Sequence, residues 1–172
     1  MASGQTLFVL TPLGSLPTAT LFATQDRITD ASTPATETPV LDFDPTTAEH
    51  ADWHVSVPAY YGGGGFTFSW KGGTDHASSV GTFTLDFRCV KIANNAVLTS
   101  DLGIDTATAT GITDTPPATP TNKLNYSTTG TMTHANAGSP AVRDRLIIRA
   151  SRNISDTNLG DLQLAEIIVS ET

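Results

Sequence analysis

The chain has 172 residues and a net charge of −8 at pH 7, from nine basic and seventeen acidic side chains. That length fits one domain able to bury about 70% of its unfolded surface, and the acidic balance argues against a nucleic-acid partner, whose phosphates need a basic patch. Charged residues make up 15% of the chain against roughly 25% in typical globular proteins, a composition that suits half-buried pleated surfaces and faces that pack against other protein.

Residues 1–39 are rich in Thr, Ala, Pro and Ser, with Pro12, Pro17, Pro34 and Pro39 spaced along them. Proline disfavours helix and removes ladder donors, so this segment is expected to be an extended arm. Two apolar pieces interrupt it, Leu7-Phe8-Val9-Leu10 and Leu21-Phe22-Ala23. They need burial, either in the domain's own sheet or against a neighbouring subunit, and the second is the expectation for Leu7, Phe8, Val9, Leu10, Leu21 and Phe22. No basic region precedes Leu7, and no apolar run approaches the roughly 20 residues of a membrane helix. Neither a signal peptide nor a membrane partner is expected, and the sequons at Asn125 and Asn153 then carry little weight.

The body, 40–172, reads as strands at 40–43, 53–57, 65–71, 80–92, 106–112, 124–133, 143–152 and 162–170. Trp53, Val55 and Val57 alternate with His54 and Ser56. Phe66, Phe68 and Trp70 alternate with Thr67, Ser69 and Lys71, and Phe83, Leu85 and Phe87 with Thr84, Asp86 and Arg88. One apolar and one polar face per strand is the pattern of an antiparallel sandwich. Trp53, Val55, Phe66, Phe68, Trp70, Phe83, Leu85 and Phe87 are the expected core. The last strand is apolar on both faces from Leu162 to Val169 and should be central or doubly covered. Helix is expected only over 45–51, with Asp44 as N-cap and Pro45 at the first helical position. Gly62–Gly65, Gly72-Gly73 and the 115–120 stretch mark loops. Eight strands joined by short turns favour a jelly roll. An immunoglobulin-like sandwich comes second, because its Cys…Trp…Cys signal is absent.

Chemistry is harder to find. The single cysteine, Cys89, excludes an intrachain disulfide and falls in an alternating apolar run, where it reads as a small buried residue. His50 and His54 have helical metal spacing but sit around a strand, and His76 and His134 stand alone in loops. The glycine run 62–65 lacks the Lys-Ser/Thr ending and following helix of a phosphate cradle. Asp42, Asp44 and Asp52 are the densest carboxylate group; they could ligate calcium, but turn capping is the expectation, since their spacing matches no EF-hand. Arg143, Arg145, Arg149 and Arg152 read as a solvated strand face. No nucleophile has a base nearby in sequence. Catalysis, a cofactor and an obligatory metal are therefore not expected. Tyr60 and Tyr61 beside the glycines either anchor the loop or form a stacking platform for a sugar.

Several motifs occur together in order along nearly the whole chain. They are the opening Met1-Ala2-Ser3-Gly4-Gln5-Thr6-Leu7 and Pro39-Val40-Leu41-Asp42-Phe43-Asp44, then Val57-Pro58-x-x-Tyr61-Gly62-Gly63-Gly64 leading to a strand ending on Trp70. The closing one is Gly160-Asp161-x-x-Leu164-x-x-Ile167-x-Val169-x-Glu171-Thr172. The set resembles small jelly-roll virion proteins of tailed bacteriophages, with Gly72-Gly73-Thr74-Asp75-His76 in place of that group's small-residue stretch. The resemblance implies an all-β sandwich of jelly-roll type and a structural role on the virion. The implied role is a capsid decoration (cement) protein, made in the bacterial cytoplasm, that binds the major capsid protein and neighbouring copies of itself around three-fold positions. The alternative is a tail-fibre, receptor-binding or glycan-binding module using Tyr60 and Tyr61. A cement protein would reach its neighbour with residues 1–39.

Overall fold

The computed structural model describes residues 4–76, 81–116 and 123–172. Met1 to Ser3, the start of the expected 80–92 strand and most of the proline loop after Thr115 lie outside them. Among the described residues the strands are β1 (Thr6–Leu10), β2 (Leu16–Pro17), β3 (Thr24–Thr29), β4 (Glu37–Phe43), β5 (His50–Ser56), β6 (Phe66–Thr74), β7 (Phe83–Ile92), β8 (Thr110–Asp114), β9 (Asn125–Tyr126), β10 (Gly130–Met132), β11 (Arg145–Arg152) and β12 (Leu162–Glu171). They form two antiparallel sheets. In the first, β10, β6, β12, β4 and β3 lie side by side, with β9 on β6 and β1 on β12. The second runs β2-β5-β11-β7-β8. The pieces β9 and β10 continue one another along the same edge of β6. Trp70 bridges their gap, its N–H donating to Ser127 Oγ at 2.8 Å. Counting them as one, β4 to β12 fill the two sheets in the order of a jelly roll, alternating between them except for the β7–β8 hairpin within the second.

The inner faces are those the alternation marks. Trp53, Phe66, Phe68, Trp70, Phe83, Leu85 and Phe87 are all buried, and Val55 is half-buried against them. Phe68 and Phe87 stack across the two sheets with centroids 4.9 Å apart. β12 is central, as its apolar run suggests, with β6 along one side and β4 then β1 along the other. Its continuous apolar run has a specific cause. The register shifts between Leu164 and Glu166, so Leu162 and Leu164 face inward before the bulge, and Ile167 and Val169 after it.

The first 39 residues are extended, but β1, β2 and β3 all lie within them. The boundary drawn at residue 40 therefore falls inside the packed body. β4 pairs only with Leu162 to Leu164 of β12, which would leave the backbone of Ile167 to Ser170 without a partner on that side. β1 fills this edge, and its Leu7 and Leu10 complete the core beneath. The helix expected over 45–51 does not form. Asp44 Oδ1 does accept from the N–H groups of Thr46 (2.6 Å) and Thr47 (2.9 Å) as a cap would. However, the chain must cross to the second sheet and enters β5 by His50, leaving no room for a helical turn.

The arginines divide: Arg143 and Arg145 are exposed, as a solvated face would have them, but Arg149 and Arg152 are buried. Arg149 is held by both oxygens of Asp52, at 2.6 and 2.7 Å, and by Asp105. Arg152 points inward and is 1% exposed. Its Nε and Nη2 donate to the two oxygens of Asp156 at 3.0 Å. Nη1 donates to the carbonyls of Phe43 (2.9 Å) and Gly160 (2.7 Å), and Nη2 also to that of Asn158 (2.8 Å). The guanidinium lies 5.1 Å over the Phe83 ring. Breaking such a pair from one side leaves a buried charge uncompensated, at a cost of about 3–5 kcal/mol. Arg152→Leu should lose that much in urea unfolding, and Arg152→Leu with Asp156→Leu should recover part of it.

Candidate functional site

Three surfaces could carry function, and each follows from how local chemistry is satisfied. The first is the segment from Thr11 to Ala23, which runs from the first sheet to the edge of the second. The Trp53 indole N–H donates to Thr11 O at 2.9 Å and fixes its start. Pro12–Gly14 form a 3-10 turn that holds the Leu13 side chain outward, 74% exposed. Ser15 Oγ and Gln25 Nε2 both donate to Pro12 O, at 2.7 and 3.1 Å. At its far end Leu21 sits in the left-handed region at φ 55°, a conformation that costs an apolar residue about 1–3 kcal/mol. Backbone bonds hold it there, with His50 N–H donating to Leu21 O at 2.7 Å and Ala23 N–H to His50 O at 3.0 Å. The segment thus presents Leu13, Leu16, Leu21 and Phe22 outward, each about half exposed or more. A cleft of about 240 Å³ lies against it, lined by Ser15, Leu16, Pro17, Phe22, Ala23, Gln25 and Ala51.

The structure thus divides the six apolar residues read as partner-binding. Leu7 and Leu10 are in this domain's own core, because β1 is needed there. Phe8 is half-buried, edge-on to Phe66 at 6.4 Å. Val9, Leu21 and Phe22 are exposed. Leu13 and Leu16 join the last two. Sequence reading passes over them because prolines flank them and they show no periodicity.

The second surface is the Tyr60–Gly65 loop. Tyr61 is buried, packs on Phe66 at 5.8 Å and donates its hydroxyl to Gly64 O, with His134 Nδ1 at 3.1 Å. Burial pushes the phenol up to about 12, with Glu171 next in effect. Tyr61 therefore anchors the loop and offers no stacking face. Tyr60 is partly exposed and donates to Thr6 O at 3.2 Å. The glycines do cradle an anion, and it is the chain's own. Glu171 Oε1 accepts from Gly62 N–H at 2.8 Å and Gly64 N–H at 3.1 Å. A side chain at Gly65 would meet Met132 O at 2.2 Å, so only glycine fits.

The third surface is the polar outer faces. His50 and His54 share the outer side of β5, but His50 pairs with Ser151 Oγ at 2.8 Å and His54 with Arg145 at 3.1 Å. Burial lowers both imidazoles, with Arg149 and Arg145 respectively adding to it. Cys89 is buried and its thiol is pushed up to about 12 by that burial, which leaves it unreactive. The three aspartates of the sequence group part ways. Asp44 caps a turn and Asp52 clamps Arg149. Asp42 does neither, and lies on the outer face of β4 with one oxygen, Oδ1, buried without a partner.

These features define a jelly-roll sandwich with exposed apolar side chains along the Thr11–Ala23 segment. No family model matches the chain, and no curated protein does. Among solved structures it is similar to the endo-1,4-β-D-xylanase 10B of Clostridium thermocellum, a chain of CBM22-1 and GH10 modules complexed with xylohexaose. Identity is 10%, the TM-score 0.48, and the match covers 98% of this chain and 29% of that one. It is also similar to the enzymatically active domain of tailspike protein 4 of bacteriophage CBA120, at 14% identity and a TM-score of 0.37, over 99% of this chain and 18% of that one. Likeness at this level bears on neither activity nor ligand.

Asp42 gives a pH prediction. Burial first, then the charges of Asp161, Asp26, Asp75 and Glu49, raise its carboxyl from 3.8 to about 7. The folded protein then holds a proton that the unfolded chain has released, so stability falls as pH rises between about 4 and 7. In metal-free buffer the Asp42 part of this loss should be about 1–2 kcal/mol, after the screening a part-exposed carboxylate receives. Asp42→Asn should be more stable than the parent by that amount at pH 8 and equal to it near pH 3.5, in thermal unfolding.

Proposed function

We propose that this protein is a virion structural protein of a tailed bacteriophage, a capsid decoration protein that docks on the shell through Leu13, Leu16, Leu21 and Phe22. The observation that carries the reading is Leu21. An exposed apolar residue is held in a strained backbone conformation by paired backbone bonds, so the apolar surface is presented rigidly. Strain of this kind concentrates where a surface has work to do, and rigid apolar anchors lose little entropy on docking. The motif set supports the virion setting, and the low charge supports packing against protein. The major capsid protein is the partner, and copies meet around three-fold positions of the shell, where multivalency raises retention. The role is mechanical and needs no catalysis.

A second reading, a glycan-binding fibre module, is favoured by one observation. Tyr126 is 65% exposed on the outer face of the first sheet, with Lys71 Nζ 5.3 Å from its ring. In that case Tyr126→Ala would abolish binding on a glycan array while leaving particle binding intact.

The docking reading is tested on particles stripped of the protein. Leu16→Asp with Phe22→Asp should fold normally, because both side chains are exposed, and should lose at least ~10-fold in occupancy. Occupancy equal to the parent would reject it. Molar salt should release little protein, since Arg149 and Arg152 are already neutralised within the domain. Release of most copies would show that charge holds the protein on.

A further inference from the structure

The outer face of the first sheet holds two buried oxygens that no donor reaches. Gln163 and Asp42 are cross-strand partners between β12 and β4, which sets their Cβ atoms about 5 Å apart on one face. Gln163 is only 7% exposed, and its Oε1 is buried with no hydrogen-bond partner; so is Asp42 Oδ1. On the far flank of Gln163 lies Gly73 of β6, where a Cβ would sit 2.5 Å from Lys123 O. That neighbour is therefore another acceptor. The charges that weigh most on Asp42 are acidic. Asp161, Asp26, Asp75 and Glu49 all bear on Asp42. The nearby guanidinium, Arg152, is already committed to Asp156.

We propose that Asp42 Oδ1 and Gln163 Oε1 are the protein ligands of a calcium site on this face. Unpaired buried acceptors in a negative field call for a positive charge. A neutral sugar hydroxyl would supply a donor but leave the charge uncompensated. Both ligands are hard oxygens, which suits calcium and excludes zinc and copper. Among the described residues no three His, Cys, Asp or Glu side chains gather as a metal group. Direct protein contact is thus one carboxylate and one amide oxygen, with Asp161, Asp26 and Asp75 acting through the ion's own water. Few direct ligands place the site in the weak class, with Kd about 10⁻⁴–10⁻³ M. The cation reinforces the junction of β4 and β12 and is not required for folding.

The test uses the full chain, freed of metal with EDTA and exchanged into buffer at pH 8. Titration with CaCl2 by calorimetry should show saturable one-to-one binding in that range. Thermal unfolding in 10 mM CaCl2 should rise by several degrees, and KCl of matched ionic strength should give no such rise. Asp42→Asn should lose at least ~10-fold in calcium affinity, while Gln163→Glu, which adds a second carboxylate, should bind calcium more tightly than the parent. Absence of binding, an equal response to KCl, or an unchanged response in Asp42→Asn would overturn the site. One rival arrangement satisfies the same atoms without a cation, the amide nitrogen of Gln163 donating to Asp42. It predicts that Gln163→Glu is destabilised equally with and without calcium, and that result would also overturn the proposal.

Discussion

Arg152 is the joint of the sandwich. The chain leaves β11 in one sheet and must start β12 in the middle of the other, and the loop that makes this crossing carries Asp156, Asn158 and Gly160. One buried guanidinium binds all three and the Phe43 carbonyl at the end of β4. Arginine is suited to this because its planar fork offers five donors in fixed directions and keeps its charge. An apolar side chain would fill the volume but leave three carbonyls and a carboxylate without donors. The central strand of the first sheet therefore depends on a residue from the second.

The same economy recurs around the molecule. Chain features that look like ligand sites in isolation are satisfied from within. The glycine loop takes Glu171, Arg149 takes Asp52 and Asp105, and Tyr61 takes the Gly64 carbonyl. Internal pairing of this kind takes these particular groups out of reach of an outside ligand. Asp42 and Gln163 differ in that two unpaired buried oxygens sit on cross-strand partners of one outer face.

Much of the fold was legible in the sequence. Strands with a strict period of two, such as Phe66-Thr67-Phe68-Ser69-Trp70, declare both their conformation and their buried face, since each alternate residue is large and apolar. β1, β2 and β3 were not legible as parts of the sheets. β3 reads Thr-Gln-Asp-Arg-Ile-Thr with no apolar face, being an edge strand, and its charges suit an exposed edge. β1 looks like a loose apolar piece because its reason for pairing lies some 160 residues away, in the half of β12 that β4 does not reach. For the site, exposure of Leu13 and Leu16 depends on a 3-10 turn that Trp53 fixes from another strand. The inward turn of Arg152 shows only when Leu146, Ile148 and Ala150 are extended by one more step of two; the three other arginines of the cluster obscure it.

The bulge in β12 gives the strand a phase. Before Ala165 the even-numbered residues face the interior; after Glu166 the odd-numbered ones do. Removing Ala165 would take out only the extra residue: Leu164 and Ile167 would then stand two apart, and both halves would keep their inward faces. One residue added to the regular ladder beyond it is different. Between Ile167 and Ile168 it would turn Val169 toward water and Ile168 and Ser170 toward the core, and the contacts of β1 with this half would meet the wrong face. By contrast, a deletion in the 153–159 loop that spared Asp156 and Asn158 would leave both faces in step. Length variation in this fold is tolerated according to the parity it leaves behind.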